Sequence, residues 1–311
     1  MKSKPVSSIR QLSQLFRCRE HKRRWPLLAV EQLCDRVVPT VWNVTTTADK
    51  FDFVGALSLR EAIFNANQDA DTTQVINLVG GSTYTLSIAN TTGQENADAE
   101  GDLDIVDQGG VAGTKTYQIV GAGAGAVIDQ TVIDRVFQII GADPADLAVV
   151  FNNVTIQDGT AIDNGTALTV GGTTALGGGV LNQGGGNVSF TNAVVQNNTA
   201  RADDGAAGAN GTVSGAAGGS GLAGFDAFGG AVFSTGGTIT LTTSQFKDNK
   251  VVAGDGGDGG DGSDGIVVGG AGGAGGAGGN AAGAGIYALS GDVVVDNGSS
   301  VSTNTATAGD G

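Results

Sequence analysis

One eleven-residue pattern recurs along the second half of the chain and restricts the possible fold more than any other feature. Phe151-Asn152-Asn153-Val154-Thr155-Ile156-Gln157-Asp158-Gly159-Thr160-Ala161 aligns with Phe190-Thr191-Asn192-Ala193-Val194-Val195-Gln196-Asn197-Asn198-Thr199-Ala200, 39 residues further on. Leu241-Thr242-Thr243-Ser244-Gln245-Phe246-Lys247-Asp248-Asn249 follows at a spacing of 51, and residues 295–304 repeat it with one extra residue in the turn. Each of the last three copies is preceded by a glycine-rich strand start: Gly177-Gly178-Gly179-Val180, Gly229-Gly230-Ala231-Val232 and Gly283-Ala284-Gly285-Ile286. Such a unit cannot bury an apolar face alone. Stacked copies can, if each adds a parallel strand about 4.8 Å from the last and alternate side chains point inward. The pattern therefore predicts an all-β solenoid with Val188, Phe190, Ile239, Leu241, Val293 and Val295 inside. Asn198, Asn249 and Asn304 return at one turn, either as a ladder of stacked amides or as solvent-facing turn formers.

Composition agrees and removes several functions. Of 311 residues 55 are Gly and 4 are Pro, while aromatic residues make up 5 % and charged residues 15 %, which favours an all-β chain over a helical one. Residues 1–39 hold nine Lys/Arg against three acids, and residues 40–311 hold seven against 28. An acidic body of this kind repels phosphate backbones, so nucleic acid is excluded as its partner. Both cysteines (Cys18, Cys34) and the single histidine (His21) fall before residue 40. The body thus lacks the residues for Ser-His-Asp or Cys-His catalysis and for the usual zinc sites, whereas oxygen-ligated hard cations and carboxylate chemistry remain open.

The apolar run Trp25-Pro26-Leu27-Leu28-Ala29-Val30 is shorter than the roughly 7–15 residues of a secretory core, and no stretch approaches the roughly 20 of a membrane-spanning helix. After Val41-Trp42-Asn43-Val44-Thr45-Thr46-Thr47, which alternates like a strand, Ser58 and Glu61 form a capping box. Leu59, Ala62, Ile63 and Ala66 then make one apolar stripe, so a short amphipathic helix is expected to cover the open end of the stack.

Leu57-Ser58-Leu59-Arg60-Glu61-Ala62 resembles the Cys-Ser-Leu-Arg-Glu-Ala motif that begins many bacterial right-handed parallel β-helix surface proteins, with Leu57 in place of the Cys. Gly101-Asp102-Leu103-Asp104-Ile105, Ile119-Val120-Gly121-Ala122-Gly123 and Ile133-Asp134-Arg135-Val136-Phe137 extend the similarity. The glycine-rich strand starts and Phe246-Lys247-Asp248-Asn249 resemble the Gly-Gly-Ala-Ile and Phe-x-x-Asn signatures of polymorphic outer-membrane protein repeats. The resemblance spans residues 40–311. It implies a right-handed parallel β-helix with a short N-terminal capping helix and glycine-rich insertion loops, secreted or held at a bacterial cell surface or outer membrane, adhesin-like and without catalytic residues. The stretch Leu28-Ala29-Val30-Glu31-Gln32-Leu33-Cys34-Asp35-Arg36-Val37-Val38-Pro39 resembles the leaders of large bacterial extracellular proteins, with Cys34 in place of their second acid. Residues 1–39 are accordingly read as a disordered basic segment, a non-standard export or sorting leader, and residues 40–311 as the β-helix. The alternative for 1–39 is a plain basic arm.

Two groups of acids are calcium candidates. Asp98, Glu100, Asp102 and Asp104 fall at period two, so a strand would gather them on one face; the alternative is a solvated loop leading into a strand at 103–106. Gly259-Gly260-Asp261-Gly262-Ser263-Asp264-Gly265-Ile266 matches a calcium-binding nonapeptide once, with Asp261 and Asp264 as ligands. The surrounding stretches 203–228 and 253–282 otherwise read as insertion loops. Collagen is excluded because the frame breaks at 266–268 and no Pro occurs there. No cofactor is required. A polysaccharide lyase or hydrolase is the alternative function, since such enzymes also use β-helices. The expected partner is a surface ligand, either a glycan or a cell-envelope component. Because no cover is visible after Val301, the stack reads as incomplete at its C-terminus and open to end-to-end self-association.

Overall fold

A computed structural model describes residues 38–91, 94, 96–107, 113–141, 147–166 and 172–311. The chain divides into two compact units, Met1–Arg36 and Val37–Gly311, and all described residues belong to the second. The expected leader, with Cys18, Cys34 and His21, lies outside the described residues except for Val38 and Pro39.

The described residues are mostly β, with one helix. Among them every strand ladder is parallel. A seven-stranded sheet runs Thr40–Asn43, Thr73–Leu78, Lys115–Gly121, Leu147–Asn152, Asn187–Thr191, Thr238–Thr242, Asp292–Val295, each strand bonded to the next in chain order. Six-, five-, four- and three-stranded sheets grow in the same way, so each coil of the chain adds a strand to several sheets at once. The register places Phe151 beside Phe190, Phe190 beside Leu241 and Leu241 beside Val295. The sequence spacings of 39 and 51 are thus single coils, and the arrangement is solenoid-like.

Alternation fills the interior. Val188, Phe190, Ile239 and Leu241 are fully buried, and the rings of Phe137, Phe151, Phe190 and Phe246 stack down the core with centroids 4.9, 5.2 and 4.9 Å apart. Val293 and Val295 depart from the expectation: they are 43 % and 46 % exposed, because no further coil lies over their strand. Two columns of corner residues turn the chain with left-handed φ: Asn153, Asn192 and Thr243 at 56°, 50° and 51°, and Asp158, Asn197, Asp248 and Thr303 at 61°, 58°, 57° and 55°. Beside the second column the amide ladder forms. Asn198 Nδ2 donates to Asn249 Oδ1 at 3.0 Å, and Asn249 Nδ2 donates to Asn304 Oδ1 at 2.9 Å. Asn198 and Asn249 are buried, so the ladder supplies hydrogen bonds that water cannot.

The helix, Leu59–Gln68, starts at the expected capping box: Ser58 Oγ accepts from Glu61 N, and Glu61 Oε2 accepts from Ser58 N at 3.0 Å. Leu59, Ala62, Ile63 and Ala66 join the core. The other end has no basic residue of its own; the buried Lys115, from the neighbouring sheet, donates to the carbonyls of Asn67 and Asp69 at 3.2 and 2.6 Å. The first strand stops at Asn43 rather than Thr47, because the N–H groups of Thr45 and Thr46 turn to the Leu57 carbonyl that leads into the helix.

Residues 203–228 and 253–282 are not simple insertion loops. Four extended segments (203–211, 216–226, 253–264 and 269–280) form a layered array in which hydrogen bonds recur at every third residue. Gly205, Gly208 and Gly211 donate to Asp255, Asp258 and Asp261 carbonyls at 2.7–2.8 Å, and Gly218, Gly221 and Gly224 donate to Ala271, Ala274 and Ala277 at 2.8–2.9 Å. Antiparallel contacts tie the remaining faces, as where Gly254, Gly257 and Gly260 donate to Phe225, Leu222 and Gly219 at 2.8–2.9 Å. Three residues per turn is the period of a polyproline-II-type helix, whose backbone groups point outward to neighbours. Glycine is needed where two such backbones touch: a Cβ on Gly257 would collide with the Ala206 carbonyl, and one on Gly221 with the Gly257 carbonyl.

Candidate functional site

The residues between the helix and the five-stranded sheet hold the densest charge. Of the run 98–104, only Leu103 and Asp104 belong to a strand, Leu103–Val106; the residues before it form a series of bends, with Asp98 at φ 56°. The period-two face therefore does not form. The loop is not solvated either, since Asp98, Asp102 and Asp104 are buried.

Arg60 explains the burial. Its Nη1 donates to the carbonyls of Asp98, Glu100 and Asp102 at 3.2, 3.3 and 2.9 Å, and its Nη2 donates to that of Gly101 at 2.8 Å. Asp49 faces the same guanidinium with both oxygens, at 2.7 and 3.2 Å. A ring of converging carbonyls is the arrangement that would otherwise hold a hard cation, and here a guanidinium fills it. Asp98 is used locally: Oδ1 accepts from Asp104 N at 2.7 Å and Oδ2 from Asn67 Nδ2 at 2.9 Å. Glu100 accepts from Thr91 N at 2.7 Å.

The Leu57–Ala62 motif thus has a physical reading position by position. Ser58 and Glu61 cap the helix, Leu59 and Ala62 enter the core, and Arg60 closes the 98–102 loop. Glu61 also accepts from the N–H groups of Asp52 and Phe53 at 3.1 and 2.6 Å, tying down the segment that precedes the helix.

A second buried guanidinium, Arg135, sits among three carboxylates. Its Nη1 lies 3.3 Å from Asp102 Oδ2 and 3.0 Å from Gln138 Oε1, and its Nη2 pairs with Asp163. Asp134 holds the Arg135 backbone N–H at 2.8 Å, while its carboxylate stands 3.9 Å from the guanidinium. The adjacent Asp134–Arg135 pair of the sequence is a turn bond, and the direct pairing goes to residues far along the chain. Burial, with the Asp134 charge added, holds Asp102 well above the usual carboxylate range despite Arg135. Burial likewise raises Asp134, with Arg135 opposing it.

Asp261 and Asp264 lie elsewhere, exposed on the third glycine segment. Their backbone carbonyls accept from Gly211 and Gly215 at 2.8 and 3.2 Å, and Asp261 N donates to Asn210 Oδ1 at 2.8 Å. Asp255 N donates in the same manner to Asp204 Oδ1, and Asp310 N to Asp255 Oδ1, at 2.9 and 2.8 Å. These acids form edge-on columns, separate from the 98–104 group. Among the described residues no three His, Cys, Asp or Glu side chains are grouped as a metal site, and no helix is long and apolar enough to cross a membrane.

Sequence reasoning did not single out Asp49, Asn67 or Asp163, which lie 11, 37 and 28 residues from their respective partners Arg60, Asp104 and Arg135 as the chain runs. Isolated polar residues carry no local signal of such pairing. The glycine array did carry one, the strict three-residue glycine period. The chain matches no family model, no curated protein and no solved structure.

Proposed function

We propose that this chain is an extracellular or cell-surface scaffold of the right-handed parallel β-helix type, adhesin-like and without a catalytic role, that presents the tip of its glycine array to a partner. The observation that carries this reading is the tip itself. Ile266, Val267 and Val268, in the turn between the third and fourth segments, are 97 %, 91 % and 76 % exposed. Val213, in the adjoining turn, is 68 % exposed, and its carbonyl accepts from Ser263 Oγ. The turns stand at the end of the array opposite the strands. Aliphatic side chains held together in water on a hydrogen-bonded support suit a contact surface. The use of both buried guanidiniums in internal networks also favours a structural role for the charged residues.

The inferred partner is a component of the cell envelope, a glycan among them. The test is binding of the purified chain to cell-envelope fractions and immobilised glycans, beside an Ile266→Asp/Val268→Asp variant. Loss of binding in a variant that melts like the parent is the expected result. Binding that is indifferent to the tip removes this reading, and cleavage of any polyuronate or neutral glycan replaces it with a carbohydrate-active enzyme.

A further inference from the structure

The tip of the glycine array is a crest. Ile266, Val267 and Val268 follow one another across the turn between the third and fourth segments, and each is exposed. Val213 crowns the neighbouring turn, which has the later turn packed against it. Gly215 N donates to the Asp264 carbonyl at 3.2 Å, and Ser263 Oγ donates to the Val213 carbonyl. Val213 stays exposed all the same, so a stacked turn leaves the crest in water. Behind the crest, Ala216 N donates to Ser263 Oγ at 3.0 Å and Gly270 N to the Ser263 carbonyl at 2.8 Å. These bonds fix both turns to the array.

The chemistry of the crest narrows what it can touch. A glycan is held by hydrogen-bonding groups and aromatic faces, and the side chains of Ile266, Val267 and Val268 offer neither. A stable protein partner engages about 20–30 residues a side, and two short turns supply far fewer. Hydrocarbon asks only for exposed aliphatic surface. Charge then selects the headgroup. Residues 202–246 and 251–311 contain no Lys, Arg or His, while Asp255, Asp258, Asp261 and Asp264 approach the crest along the third segment. An anionic lipid surface repels these carboxylates, whereas a zwitterionic one carries no net charge against them.

We propose that the tip enters the boundary between headgroups and acyl chains of a zwitterionic lipid bilayer, so that lipid is the envelope component it contacts. The proposal rests on the reading of the tip as the contact surface. Ile266, Val267, Val268 and Val213 together carry about as much hydrocarbon as one myristoyl chain, which binds membranes reversibly with a constant of about 10⁴ M⁻¹. Entry is shallow, because the Asp264 carboxylate, two residues before Ile266, has to stay with water and headgroups. Partial immersion of that hydrocarbon places half-binding at about 1 mM lipid. A single tip thus docks weakly and reversibly.

The experiment floats the purified full chain with phosphatidylcholine vesicles. Their neutral surface gives the basic residues of 1–39 no charge to bind, so flotation reads hydrocarbon contact. Half of the parent floats at about 1 mM lipid, and Ile266→Asp/Val268→Asp, melting like the parent, binds at least about tenfold more weakly. Ile266→Leu/Val268→Leu stays within about twofold of the parent, because acyl chains accept any aliphatic shape and a protein pocket does not. Absence of flotation at about 10 mM lipid overturns the proposal. Flotation that survives the Asp substitutions also overturns it, as does loss of flotation in the Leu variant. Lipid-extracted envelope and immobilised glycans judge the adhesive reading separately. Tip-dependent binding to these without flotation overturns the lipid proposal and leaves that reading standing. Indifference to the tip in every assay overturns both.

Discussion

Thr243 occupies the least suitable conformation for its type in the first corner column. A β-branched residue at φ 51° is disfavoured, whereas Asn153 and Asn192 above it tolerate the left-handed region. Asn192 Nδ2 already donates to Asn153 Oδ1 at 2.6 Å, so Thr243→Asn would extend that side-chain column as well as relieve the backbone. The expected gain is about 1 kcal/mol in urea unfolding, and an unchanged or lower midpoint would contradict it. The Asp102 and Asp134 carboxyls set a second residue-scale expectation. Both are raised above their ordinary 3.8, so between that value and the folded one the native state binds more protons than the unfolded chain. Their contribution is therefore greatest at low pH and is lost as pH rises through the folded values. Glu61 and Asp69 work the other way: burial would raise them, but the N–H donors around them outweigh it and hold them below 4.5 and 3.8. Their contribution is present above those values and is lost only in stronger acid. The melting temperature should rise as pH falls toward 3.8 through the folded values of Asp102 and Asp134, and the share held by Glu61 and Asp69 should be lost in stronger acid, as calorimetry over an acid-to-neutral pH series would show.

At the scale of elements, the glycine array changes what a glycine-rich stretch means. A loop tolerates a methyl group anywhere, whereas a packed threefold helix tolerates it on one face of three. Gly257→Ala places a Cβ against the Ala206 carbonyl and should cost about 1–3 kcal/mol. Asp258→Ala, one residue on and facing solvent, should stay within about 0.5 kcal/mol of the parent. Equal melting of the two variants would return the segment to the status of a loop. The same packing means that the 253–282 stretch cannot be shortened without consequence, since it takes hydrogen bonds from both earlier segments. The helix teaches a related lesson. Its start was readable from Ser58 and Glu61, which are neighbours in the chain, but its C-terminal partner Lys115 comes from the neighbouring sheet.

For the whole molecule, the charged interior was legible as composition but not as arrangement. Asp98, Glu100, Asp102 and Asp104 were recognisable as a run of acids that either gathers on one strand face around a cation or forms a solvated loop. The fold takes neither course, because the coil brings Arg60 to the carbonyls of the loop and Arg135 to Asp102 and Asp163. With the carbonyl ring filled by a guanidinium, excess chelator should move the melting temperature by less than about 1 °C. A drop of several degrees, reversed by calcium, would show that a cation bears on stability after all.

The local order of the chain determined the coil spacing, the inward alternation, the amide ladder and the capped helix. Each rests on residues whose period or neighbours are written in sequence, as with Phe151, Phe190 and Leu241 or with Ser58 and Glu61. The pairing of Arg60 with carbonyls about forty residues away, the neutralising of Asp102 by Arg135 and the packing of the glycine segments were decided by tertiary structure alone. Hydrogen bonds between backbone groups, and single charges meeting across coils, depend on which surfaces the fold brings within about 3 Å. That distance has no signature along the chain until the coils are stacked.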